Sequence, residues 1–150
     1  MSDSVREDVI QNLVTTLQGV TKTAGYNITI NRVERIKMVG LDIREFPTVL
    51  VIPADEVKEQ SPSDKYTCRL AVTLECWIQE YGDVSAQVNI LLADIEKALM
   101  VDHTRGGVAV DTKLLGNSAF YNEVNKPYGG VEIRIEVHYR HKFSDPYTAG

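Results

Sequence analysis

The apolar positions change period along the chain, and each period predicts an element. Val5, Val9, Leu13, Leu17 and Val20 recur at three and four residues, the spacing of one helical face. Ser4 followed by Glu7 matches a capping box, so this helix is predicted to start at Ser4 and to end near Lys22, ahead of Gly25. Tyr26, Ile28 and Ile30 alternate with polar residues and predict a strand. Phe46-Pro47 introduces Thr48–Ile52, an apolar run that reads as a buried strand closed by Pro53. From Tyr66 to Gln79 the period is two. Tyr66, Cys68, Leu70, Val72, Leu74, Cys76 and Ile78 share one face, and Thr67, Arg69, Ala71, Thr73, Glu75, Trp77 and Gln79 share the other. An alternation of that length means a sheet with one face on a core.

The turn Tyr81-Gly82-Asp83 leads into a second predicted helix over 84–100, with Asp83 as N-cap and Val84, Val88, Leu91, Ile95 and Leu99 as its buried stripe. Val108–Leu115 predicts a strand, and Gly116-Asn117-Ser118 carries turn chemistry. Gly129-Gly130 opens Val131–Phe143, a second long strand. There Val131, Ile133, Ile135, Val137 and Tyr139 oppose Glu132, Arg134, Glu136, His138 and Arg140. The order predicts an α+β fold, a mainly antiparallel sheet with two helices packed on one face. Residues 53–65, PADEVKEQSPSDK, are polar with two prolines and read as a long loop. Residues 31–45 are ambiguous, and 144–150 read as a C-terminal tail. Neither side of the 53–65 stretch has the makings of a separate core, so the expectation is a single domain over 1–150.

Composition narrows the partners. The chain has 150 residues, which suits one domain that buries its own core without a metal or disulfide. It carries 16 Lys+Arg against 21 Asp+Glu, a formal net charge of −5, so broad attraction to nucleic-acid phosphates or anionic lipid is not expected. No apolar run approaches a membrane span, and MSDSVREDVI lacks the layout of a secretory signal, so no membrane partner is expected and the protein is expected in the cytoplasm of the cell that makes it. Cys68 and Cys76 lie on one predicted strand. At roughly 3.3 Å per residue they are about 26 Å apart, far beyond disulfide reach, and read as small buried hydrophobes.

The usual chemical constellations are missing. The chain has no P-loop, no GxGxxG, no HExxH, no CxxC and no GxSxG. His138 and His141 are three apart, which on a strand puts them on opposite faces and makes them poor joint metal ligands. Asp102 and His103 are adjacent in a loop, the one place that suggests a small enzyme. No nucleophile accompanies them, and a solvated loop accounts for both. Asp94 and Glu96, two apart on a helix, read as surface charge. No catalytic residue, cofactor or metal site is assigned. More informative are the outer faces of the two long strands, with Arg69, Glu75 and Trp77 on one and Arg134, Glu136 and Arg140 on the other. A solvated sheet face explains mixed charge, and so does contact with a copy of the same chain, where complementary charges set register. Trp77 on the polar side is either an interface anchor or packed under a loop. The stretches 31–45, 53–65 and 144–150 are either arms that embrace a neighbour or mobile loops.

The order of these parts resembles the tail terminator proteins of long-tailed bacteriophages, also called minor tail or tail completion proteins. The matching parts are the capped first helix, FPTVLVIPADE, YTCRLAVTLECWIQE, VSAQVNILLADIEKALM and the ending GGVEIRIEVHYRHKFSDPY. The resemblance implies a structural virion protein. It implies a hexameric ring that caps the head-proximal end of the tail tube, stops its growth and offers the surface on which neck or head-completion proteins dock. In contractile tails the ring would also contact the last sheath ring, and genome DNA would pass through its hole without specific binding. The resemblance brings no catalytic residues. The expected subunit contacts are Arg69, Glu75, Trp77, Arg134 and Glu136, and the expected tube or neck contacts are Lys58, Asp64, Arg105, Asp145 and Tyr147. The alternatives are another phage tail, tube, neck or connector protein, a small enzyme using Asp102 and His103, or a nucleic-acid-binding module, which the mixed charge of the strands disfavours.

Overall fold

The computed structural model describes residues 2–36, 43–121 and 127–150. Part of the ambiguous 31–45 stretch lies outside them, as do residues 122–126. Among the described residues two helices and six strands follow the order α1 (Val5–Gln18), β1 (Arg32–Glu34), β2 (Thr48–Ser61), β3 (Lys65–Gln79), α2 (Val84–Val101), β4 (Asp111–Tyr121), β5 (Tyr128–Lys142) and β6 (Asp145–Ala149). Both helices start where their caps predict. Ser4 Oγ accepts the Glu7 N–H at 3.1 Å, and Asp83 Oδ1 accepts the Ala86 N–H at 3.1 Å. α1 ends four residues before the expected stop because Gly19 caps it, its N–H turning back to Thr15 and Thr16. Val20 still faces the core from outside the helix.

The strands form one sheet in the order β1-β2-β3-β5-β4, antiparallel throughout except for the short parallel β1–β2 pair. β3 pairs with β5 over their whole lengths, from Lys65↔Lys142 to Gln79↔Tyr128. β4 takes the other edge of β5 as far as His138, and β6 pairs with the end of β5 beyond it. The helices lie over one face. There Val9, Leu13 and Leu17 of α1 and Val88, Leu91, Ile95 and Leu99 of α2 share a buried cluster with Leu70, Val72 and Leu74 of β3 and Ile133, Ile135 and Val137 of β5. This is the α+β arrangement expected from the two periods of the sequence.

Four expectations are corrected. The loop over 53–65 is the second half of β2 plus the hairpin turn. Pro53 does not close the strand, because β2 is an edge strand there and a bulge between Pro53 and Glu56 absorbs the missing N–H. Gly116-Asn117-Ser118 is no turn but the middle of β4, entered through a bulge between Leu114 and Gly116. Tyr26–Ile30 alternates in burial yet joins no strand ladder, because the amides of Asn27 and Ile28 go to a side chain instead. The 144–150 tail holds β6, tied to β5 through His141↔Ala149 and Lys142↔Asp145.

Candidate assembly surfaces

The sheet face turned away from the helices has a covered half and an open half. At the covered end Thr48 and Leu50 of β2 are fully buried, and Leu50 and Ile43 stand apart from the helix-side cluster. The chain just before β2 returns onto this end. Asn31 N–H donates to the Pro47 carbonyl at 3.0 Å, the Thr48 hydroxyl donates to the Glu45 carbonyl, and Phe46 stacks on Tyr128 at 5.4 Å. Trp77 pairs in register with Thr48 and Gly130, and its ring meets the edge of Phe120 at 4.8 Å. Gly130 makes this possible, since a Cβ there would lie 2.4 Å from Phe120 Cζ. Trp77 Nε1–H donates to Glu75 Oε1 at 2.8 Å, and Glu75 is only 7% exposed. Of the two readings of Trp77, packing under other groups describes its surroundings. Glu75 supports that indole from within the fold rather than standing on the surface.

The open half carries the other three expected contact residues. Arg69, Arg134 and Glu136 share the outward face with Thr73, which is opposite Arg134, and Ala71, which is opposite Glu136. Arg69 holds Glu59 at 2.6 Å, Arg134 lies 3.8 Å from Glu132, and His138 contacts Glu136. The signs alternate along β5 through Glu132, Arg134 and Glu136, and the side chains remain partly exposed.

The second group of expected contacts gathers at the turn end of the β2–β3 hairpin, with one exception. Asp64 sits in the turn, and its carbonyl accepts the Phe143 N–H at 2.7 Å. Asp145 and Tyr147 lie on β6 beside the end of β5. The hydroxyl of Thr148 and the amide of Tyr147 hold the Asp145 carboxyl below the ordinary range. Lys58 reaches His141, Nζ to Nε2 at 2.9 Å. His141 Nδ1 faces the Lys142 carbonyl, which only accepts, so Nδ1 carries the proton and Nε2 accepts from Lys58. The exception is Arg105. It is 1% exposed, so it is no docking side chain. Its guanidinium turns inward, Nη2 donating to the carbonyls of Leu99 and Asp102 at the C-terminal end of α2, while Nε and Nη1 have no partner among the described residues. Burial pushes its pKa down. The chain turns sharply here, with Arg105 and the two glycines after it, Gly106 and Gly107, all at positive φ.

Asp102 and His103 do not form a pair. The Asp102 carboxylate accepts from Thr104 and from the Gly106 N–H, which depresses its pKa, whereas His103 Nδ1 contacts Asp111 at 3.0 Å. His138 and His141 face opposite sides of β5, with Glu136 and Lys58 respectively. No group of three metal-ligating side chains converges among the described residues.

Two features escaped the sequence. Asp94 is not surface charge but is buried at 3% exposure, accepting the Asn27 and Ile28 N–H groups at 2.9 Å each. Its place three residues after Leu91 on the buried stripe was the available signal. Under the hairpin, Glu56 binds Arg6 at 3.1 Å and accepts the Tyr139 hydroxyl; burial first, then Glu56, raises the pKa of that phenol. This pins the N-terminus of α1 to β2 and β5.

No curated protein sequence matches this chain. A family model described as Bacteriophage Tail Tube Terminator Protein matches residues 2–106, which is 105 of the 150 residues and runs from α1 into the loop after α2. The chain therefore belongs to the bacteriophage tail tube terminator family and is a component of a phage tail that works with the tail tube.

Proposed function

We propose that the chain forms a hexameric ring that caps the head-proximal end of the tail tube, ends its elongation and presents the surface to which neck or head-completion proteins bind. The family match carries this reading. The open half of the outer sheet face supports it as the place where copies meet, through Arg69, Arg134 and Glu136, with Glu75 and Trp77 stiffening the covered half behind them. Lys58, Asp64, Asp145 and Tyr147 at the hairpin end then face the tube or neck. In a contractile tail the same ring touches the last sheath ring, and genome DNA passes through it unbound. The role is structural rather than catalytic.

The sheet edges support stopping over growth. Among the described residues, β2 beyond Leu50 and the whole outer edge of β4 lack a strand partner. Each of these edges is broken by a bulge, and β2 also carries Pro53. Such interruptions discourage strand-to-strand addition. This favours a capping chain over a tube protein, which polymerises. Light scattering with negative-stain imaging over a wide concentration range, alone and with purified tail tubes, tests the proposal. Closed rings that do not lengthen, or caps on tube ends, are expected. Open-ended tubes of this chain alone would refute it.

A further inference from the structure

At the turn end of the β2–β3 hairpin, Lys65 stands directly across from Lys142, and Arg140 lies two residues along the same face opposite Thr67. Like charges placed directly opposite on antiparallel strands destabilise the pair. Among the described residues no carboxylate comes within ion-pair distance of these three side chains, although Arg6, Arg32, Arg35, Arg69 and Arg134 each hold one. The acids nearby are otherwise engaged or stand at the turn. Glu59 is held by Arg69. Asp145, in register with Lys142 and close enough to feel its charge, commits its oxygens to Tyr147 and Thr148. Asp64 is exposed in the turn. On the opposite face of the sheet Lys58 contacts His141. Tyr66 stacks on Phe143 at 5.3 Å, and Phe143 and Tyr147 stay 48% and 53% exposed. One end of a chain with net charge −5 thus presents three cations on its outward face, none within ion-pair distance of a carboxylate among the described residues.

We infer that this corner docks an acidic protein segment that crosses the outward face of the sheet, with Lys65, Arg140 and Lys142 receiving its carboxylates. The inference rests on the assembly reading above and names the chemistry of its axial partner. The free chain holds the lysine pair in mutual repulsion, and incoming carboxylates relieve it. A protein segment places single carboxylates between Asp64 and Asp145. A nucleic-acid backbone, with its regular phosphates, would run against both.

The opposed lysines give the test a signature that a structural role cannot produce. Lys142→Glu puts a carboxylate across from Lys65, so the variant is expected to melt roughly 1–3 °C higher than the parent. Its affinity for an acidic partner is expected to fall about tenfold, with the parent's binding weakening as salt is raised. Arg140→Gln, which leaves the lysine pair alone, is expected to lose affinity with an unchanged melting temperature. The probes are tail tubes from a terminator-deficient mutant of the encoding phage, a deca-glutamate peptide, and a short DNA duplex. Unchanged binding in both variants overturns the inference, as does a loss of binding accompanied by a lower melting temperature. Tighter binding of the duplex than of the peptide overturns it in favour of nucleic acid. If the parent ignores the tubes but binds the peptide with the variant pattern above, the docking surface stands and the tube-capping proposal fails.

Discussion

The Asp94 carboxylate accepts two backbone N–H groups from a stretch that has no ladder of its own. Both amides lose their acceptor if it goes, and a buried unsatisfied donor is costly. Asp94→Ala is expected to destabilise the protein by about 2–3 kcal/mol in urea unfolding, and Asp94→Asn by less, because one amide oxygen still accepts. Carboxylates nearer the surface act on pH dependence instead. Glu7, held by Arg35, and Asp102 and Asp145, held by hydroxyl and amide donors, have folded-state pKa values below the ordinary 4.5 and 3.8. A depressed carboxyl pKa means that the unfolded chain takes up protons first as pH falls. Their stabilising contribution is therefore complete above the ordinary carboxylate range and disappears as pH drops through the lowered values. Asp102→Asn is expected to lower the melting temperature near neutrality, and the gap to the parent is expected to close as pH falls below the ordinary 3.8 and through the lowered value. A gap of constant size would assign the effect to geometry rather than charge.

At the scale of elements, Gly130 shows how a strand interior is chosen by its neighbours. A Cβ at this position would lie 2.1 Å from the Cys76 carbonyl oxygen and 2.4 Å from the Phe120 ring. Gly130→Ala is expected to cost about 1–3 kcal/mol, and trimming Phe120 to Leu in the same chain is not expected to rescue it, since the nearer obstacle is backbone. The glycine pair announced a strand start in the sequence, but its partner Phe120 was invisible there, being supplied by β4 across the sheet. The same distinction runs through the fold. Long alternations and side-chain caps are local, so β3, β5 and both helix starts were legible. Whether Pro53 ends a strand, or Gly116 makes a turn, depends on which edge of the sheet faces solvent, and no local pattern records that. Of the candidate site, the face shared by Arg69, Arg134 and Glu136 follows from parity alone. The inward turn of Arg105 and the burial of Glu75 depend on the loop after α2 and on Trp77, so they were not legible.

For the whole molecule, the sheet divides into a helix-covered face, a half-open face and two interrupted edges, and the open half is where the proposed contact between copies falls. If the open half is the subunit contact, Arg69→Glu combined with Arg134→Glu places repelling charges where the proposed ring closes. The expected result is a folded monomer by light scattering with an unchanged far-ultraviolet circular dichroism spectrum. Normal rings from this double variant would assign the contact elsewhere. The long β3–β5 pair has a mechanical consequence as well. β3 and β5 are each 15 residues, and at about 3.3 Å per residue they make a beam of roughly 50 Å. A pull directed along that beam loads all the cross-strand hydrogen bonds together in shear, whereas a pull across it opens them one at a time from an end. A subunit seated with its strands along the line of tension would bear force as a strut, and one seated crosswise would yield as a zip.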